Sequence, residues 1–173
     1  MKSYQILLLF FVLMSFLSCV HLYKIEKDKF GEPILNEKVK YTFNEKLSDE
    51  NYEKIDTTAY YIQQFPVDFD REDLVKNPRL IIFHNDGFFK NESLLYFGKF
   101  DEHRGKNSVY YGGKYRINGN IIQMEQFGQY PGYKKFYKWI SEGKIEGDKI
   151  IFRENNYTTI FEKRKSINQK NSR

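Results

Sequence analysis

The stretch Tyr111-Gly112-Gly113-Lys114-Tyr115-Arg116-Ile117-Asn118-Gly119-Asn120-Ile121-Ile122-Gln123-Met124-Glu125 decides the fold. Asn-Gly takes the positive φ angles of a tight type I′ turn more readily than other dipeptides, so Asn118-Gly119 reads as the reversal of a hairpin. Both flanks alternate with period two. Tyr111, Gly113, Tyr115 and Ile117 fall on one face of the incoming strand and Gly112, Lys114 and Arg116 on the other, while Ile122 and Met124 oppose Gln123 and Glu125 on the outgoing one. One face is expected to be buried and the other wet.

Working outward, the same grammar repeats. Asp86-Gly87 and Gly147-Asp148 are further turn pairs, and Asn155-Asn156 adds another. The strand-like runs between them are 57–64, 79–84, 88–92, 94–100, 109–117, 120–127, 133–145, 149–153 and 157–163. Seven to nine strands in little more than a hundred residues, with almost no helix, must close on themselves or fold into two layers to cover their apolar face and edges. The expected fold is therefore all-β: an antiparallel meander forming a small or half-open barrel, with a β-sandwich as the alternative. Ser48-Asp49-Glu50 and the stretch from Asp70 to Pro78 are expected to hold short helical turns.

Composition bounds the function. The 173 residues include 16 Phe, 14 Tyr and a single Trp, and the formal charge is +5. That charge sits at the ends. Lys2 precedes the body and Lys163, Arg164, Lys165, Lys170 and Arg173 follow it, which leaves 22 basic and 23 acidic residues in 19–162. A body with no excess of positive charge has no bulk attraction for a phosphate backbone, so no nucleic-acid partner is expected.

The N-terminal MKSYQILLLFFVLMSFLSC carries one Lys and an apolar run from Ile6 to Met14, followed by Ser18 and the only cysteine, Cys19. The run is short for a spanning helix, which needs about 20 apolar residues. It resembles the lipobox of bacterial lipoproteins, with Ser18 as the small residue before the cysteine and with Phe16 and Leu17 where that family usually has Leu and a small residue. The resemblance implies diacylglyceryl attachment at Cys19, removal of a signal peptide 1–18, and a membrane partner reached through acyl chains. A lone cysteine in an exported chain also has no internal disulfide to make. The remaining expected organisation is a linker over 19–44, a barrel-like domain over 45–163 and a basic disordered tail over 164–173.

In its short strands, its G-x-Y and N-G-N-x-I phrases and its lipobox, the chain resembles the small lipocalin-like lipoproteins of Bacteroidetes-type bacteria over roughly 56–163. The acidic cluster that often follows the cysteine in surface-exported relatives is absent after Cys19, which points to the outer membrane and its periplasmic face.

Residues for catalysis are sparse. His21 lies in the linker, His84 beside a turn with Asp86, and His103 in Asp101-Glu102-His103-Arg104; none has a second His at metal-ligand spacing. No Gly-rich phosphate loop or G-x-S-x-G elbow is present, so no metal or cofactor is implied. Aromatic residues cluster in the central hairpins, and if an interior pocket exists its expected lining is Tyr115, Phe136 and Trp139.

The expectation is a monomeric, non-enzymatic, lipid-anchored envelope protein that binds a small apolar or amphipathic ligand or assists an envelope partner. The alternatives are a structural or interaction lipoprotein with a filled core, and a hydrolase using Asp101, Glu102 or His103. Whether the barrel interior is open or filled discriminates among them.

Overall fold

The computed structural model describes residues 25–36, 39–99, 104–129, 136–154 and 157–165. The leader with Cys19, the Asp101-Glu102-His103 stretch and the tail beyond Lys165 lie outside the described residues.

Two short strands, β1 (Glu26–Lys27) and β2 (Pro33–Ile34), form a hairpin, and a helical turn α1 (Asp49–Tyr52) follows. Then come β3 (Tyr60–Gln64), a second helical turn α2 (Glu72–Lys76), β4 (Arg79–Phe83), β5 (Phe88–Ser93), β6 (Gly112–Asn118), β7 (Ile121–Gln129), β8 (Phe136–Glu146), β9 (Lys149–Glu154) and β10 (Tyr157–Arg164). Strands β3 to β10 pair in chain order, and β10 pairs back onto β3, so eight antiparallel strands close a barrel. Closure removes every free edge, which is the physical answer to a meander with one apolar face. The half-open barrel and the sandwich are thereby excluded.

The alternation read from the sequence sets which residues face inward. Tyr115 lies opposite Met124 and Ile117 opposite Ile122 across β6 and β7. Asn118-Gly119 makes the reversal between them, with Gly119 at φ 57°. At the same end, Gly87 is at φ 81°, and a Cβ there would sit 2.3 Å from the Glu45 carbonyl oxygen. This end of the barrel is sealed. Ile55, just after α1, packs with Tyr61, Phe83, Phe89, Tyr115, Ile122, Ile145 and Ile150 into a core whose members are nearly all inaccessible. Burying each such side chain contributes about 1.5–3 kcal/mol.

Three expectations need correcting. The run 94–100 is not a strand: Leu94–Tyr96 is a 3₁₀ turn, because Leu94 N–H donates to the Pro78 carbonyl and Leu95 N–H to Asn77 Oδ1, folding the chain over the end of β4. Its apolar residues are contiguous, not alternating, so the run has no strand face to present. The second correction concerns 109–111, which precede β6. Val109 N–H donates to the Pro33 carbonyl, and Ser108 bridges Ile34, so this stretch holds the β1–β2 hairpin.

The third concerns the stretch read as linker. Its described part, from Ile25 on, packs on the barrel. Val39, Val109 and Phe127 form a second core on the outside of the barrel, with Leu35, Tyr41 and Phe136 packed against it. Arg104 makes a two-bond ion pair with Glu32 (2.5 and 3.0 Å) that holds the hairpin against the flank. Residues 39–47 then run as a strap across the outer face of β6 and β7 toward α1. The face of β7 expected to be wet is therefore covered, and Glu125 is 0% exposed.

Candidate ligand-binding site

The core fills one end of the barrel interior; the other end opens outward. The register places facing pairs around this opening: Ile81 opposite Asn91, Met124 opposite Ser141, Gln126 opposite Trp139, Phe152 opposite Thr159 and Glu154 opposite Tyr157. Because every member of a facing pair points to the same side of the sheet, these ten residues line one space. With Arg79 and Phe161 they enclose a cup of about 300 Å³. That volume lies at the lower end of the range for small-molecule sites, about 300–1,000 Å³.

The cup is graded. Ile81, Met124, Phe152 and Phe161 are buried apolar groups continuous with the sealed core and make its floor. Asn91, Gln126, Ser141 and Thr159 make polar walls, and Arg79, Glu154, Trp139 and Tyr157 stand toward the opening. The Arg79 guanidinium lies 5.5 Å from the centre of the Phe161 ring, and its Nε donates to Gln63 Oε1 at 3.2 Å. Packing against the wall pushes the Arg79 pKa down and the Glu154 carboxylate pushes it back up, with the net direction downward. Arginine nevertheless stays charged at any physiological pH. The opening thus carries one fixed cation, one carboxylate and a flat aromatic surface, since the Trp139 ring stacks on Tyr137 at 5.2 Å and 28°.

Of the three residues expected to line an interior pocket, only Trp139 lines the cup. Phe136 and Trp139 are three apart on one strand, an odd spacing that sends them to opposite faces. Phe136 accordingly packs outside the barrel with the strap cluster. Tyr115 faces inward but lies deep in the sealed half, 2% exposed, with its hydroxyl donating to the His84 carbonyl at 2.9 Å. Sequence reasoning missed the other lining residues, both the apolar floor and the polar groups, which include Arg79 at the start of β4, Gln126 within β7 and Glu154 at the end of β9. Nothing local marks where the core stops and a cup begins.

His84 and Asp86 do not form a catalytic pair. His84 Nε2 lies 2.8 Å from the Tyr111 hydroxyl, and burial and the Lys106 ammonium hold the imidazole below its usual pKa against the opposing pull of Asp86. Asp86 accepts the Phe88 N–H at 3.3 Å and pairs with Lys106, so its carboxylate braces the turn. Among the described residues no group of three or more His, Cys, Asp or Glu is placed to hold a metal ion.

A wider trough of about 690 Å³ lies between residues 45–51 and β6–β8, lined by Tyr115 and Ile117 as well as by outer-face residues such as Arg116, Gln123 and Glu142. The Arg116 guanidinium crosses it toward Glu45 at 3.8 Å and over the Phe43 ring at 4.3 Å. The barrel cup is the better candidate because the closed sheet walls it on all sides and grades it from apolar to polar.

No family model matches this chain, and comparison with curated proteins and with solved structures finds no significant match to either.

Proposed function

We propose that this is a non-enzymatic, lipid-anchored protein of the cell envelope, held at the periplasmic face of the outer membrane through Cys19, whose barrel carries a small amphipathic molecule. The apolar part of the ligand rests on Ile81, Met124, Phe152 and Phe161, and its polar end meets Arg79 and the amide of Gln126. One observation supports this reading above the others: the barrel is packed solid at the α1 end and hollow at the other, with the hollow graded from hydrocarbon to charge. A protein whose barrel served only as a structural body gains nothing from leaving those facing pairs unpacked, because unfilled space forgoes dispersion contacts.

The single tryptophan makes the test direct. Trp139 stands in the cup wall, so its emission reports occupancy there and nowhere else in the chain. Titration with octanoate and with octanol is expected to change Trp139 emission saturably, at one site per chain. Arg79→Gln is expected to weaken octanoate more than octanol, since only the carboxylate meets the guanidinium. If neither probe gives a saturable change, the cup is not a binding site.

A further inference from the structure

Most of the exposed large apolar side chains among the described residues sit at one end of the barrel, with Phe30, Tyr110 and Ile140 exposed elsewhere. Val67, Leu74 and Val75 project from the β3–β4 connection, Leu95 and Tyr96 from the start of the β5–β6 connection, and Tyr157 from the start of β10. All of these positions lie at the open end, around the cup, with Trp139 beside them. At the sealed end, Tyr52 is the one comparably exposed large apolar residue among the described residues. Val67 is fully exposed and Tyr157 is 79% exposed. A rim of this kind is costly to leave in water and signals a partner surface.

The path of the chain says which partner. Leu35 and Val39 join the barrel beside Phe127 and Phe136, which lie at the open-end halves of β7 and β8. The strap then descends past Glu125 toward the sealed end. The segment that leads back to Cys19 passes first through the β1–β2 hairpin, which packs on residues 107–109 at the flank of the barrel. Ile25 is six residues after Cys19, and six residues reach at most about 20 Å even fully extended. With Cys19 acylated as proposed above, the hairpin lies within that distance of the lipid.

The chemistry of the rim fits the same partner. The β3–β4 connection pairs Arg71 with Asp73 at 3.0 Å and Lys76 with Glu72 at 2.7 Å and carries Asp68 and Asp70 besides, so it offers no cationic attraction to anionic headgroups. Its apolar and aromatic groups, Tyr and Trp included, are those that settle at a membrane–water interface.

We infer that the open rim of the barrel docks on the lipid bilayer that holds the N terminus, so that the cup faces the membrane and exchanges its ligand with lipid instead of with bulk water. The docking rests on the rim and on the N-terminal anchoring proposed above; the exchange rests also on the cup being a binding site.

The test uses the full chain reconstituted in phosphatidylcholine vesicles, with lipid brominated either near the headgroup or deep in the acyl chains. The expected result is quenching of Trp139, stronger with shallow bromine than with deep, and insensitive to added salt. The double variant Leu74→Glu, Val75→Glu is expected to lose this quenching while its circular dichroism and its octanoate titration in solution stay as in the parent. These two residues do not line the cup, so the variant separates the two readings. Absence of quenching by either lipid overturns the docking. Quenching that persists undiminished in the double variant also overturns it, because the signal then comes from a lipid inside the cup. Quenching that is lost in the variant, in a protein that fails to respond to octanoate or octanol, leaves the docking in place and removes the cup.

Discussion

Glu125 carries a full charge at a position with no solvent, and its surroundings explain how. Its Oε2 accepts the N–H groups of Thr42 (2.7 Å) and Phe43 (2.9 Å), while Oε1 accepts the Thr42 hydroxyl at 2.9 Å and pairs with Lys138 at 3.0 Å. Burial pushes its pKa up, but these hydrogen bonds and Lys138 outweigh burial and hold it below the usual glutamate value. A folded-state pKa below the unfolded one means that Glu125 stabilises the fold above the unfolded value, about 4.3, and that this contribution is lost as pH falls through the lower folded value. Glu125→Gln leaves buried donors facing an amide that supplies one acceptor and two competing donors. The variant is expected to be less stable at neutral pH by about 1.5–3 kcal/mol in urea unfolding. The deficit should narrow as pH drops below about 4, where the parent loses its own carboxylate. A deficit that does not change with pH contradicts this account.

At the scale of the element, three inward glycines each face an aromatic ring directly across the sheet: Gly113 opposite Phe89, Gly128 opposite Tyr137 and Gly143 opposite Phe152. The rings lie over the glycines, so a Cβ at Gly143 would come within 2.8 Å of Phe152 Cε1, and one at Gly128 within 2.6 Å of Tyr137 Cζ. The large side chain on one strand occupies the space that the glycine leaves on the next, which lets a barrel this rich in aromatics close. Gly143→Ala must turn the Phe152 ring aside. It is expected to cost about 1–3 kcal/mol by thermal or urea unfolding and to weaken octanoate, because Phe152 is part of the cup floor. The strands themselves were legible from their alternation and turn pairs, and most predicted boundaries fall within a few residues of those observed. The run 94–100 was misread because four contiguous apolar residues, Leu94 to Phe97, satisfy a strand's composition without its period.

For the molecule as a whole, the proposed ligand site predicts that binding adds to stability. Octanoate at about a hundred times its dissociation constant is expected to add about 2.7 kcal/mol, seen as a rise in the thermal midpoint that grows with octanoate concentration. Arg79→Gln should require more octanoate for the same rise, and a midpoint indifferent to octanoate contradicts the cup. The strap matters at this scale too. It joins the N-terminal hairpin, the outer face of β7 and the plug at Ile55 into one body.

The amino-acid sequence by itself determined the all-β class, the turns and which residues of the central hairpin share a face. Those properties are local: a strand's side chains alternate, and an Asn-Gly pair favours reversal whatever lies elsewhere. Trp139 was legible as an inner-face aromatic for the same reason, and the mismatch of Phe136 with it was already written in their odd spacing. Only the tertiary structure decided that β10 returns to β3, that the interior is filled at one end and open at the other, and that a glutamate on the apparent wet face is sealed. These depend on contacts between distant parts of the chain, such as Thr42 and Glu125, 83 residues apart. No local pattern encodes which distant segment will arrive to cover a given face, because that is settled by the fit of the whole barrel.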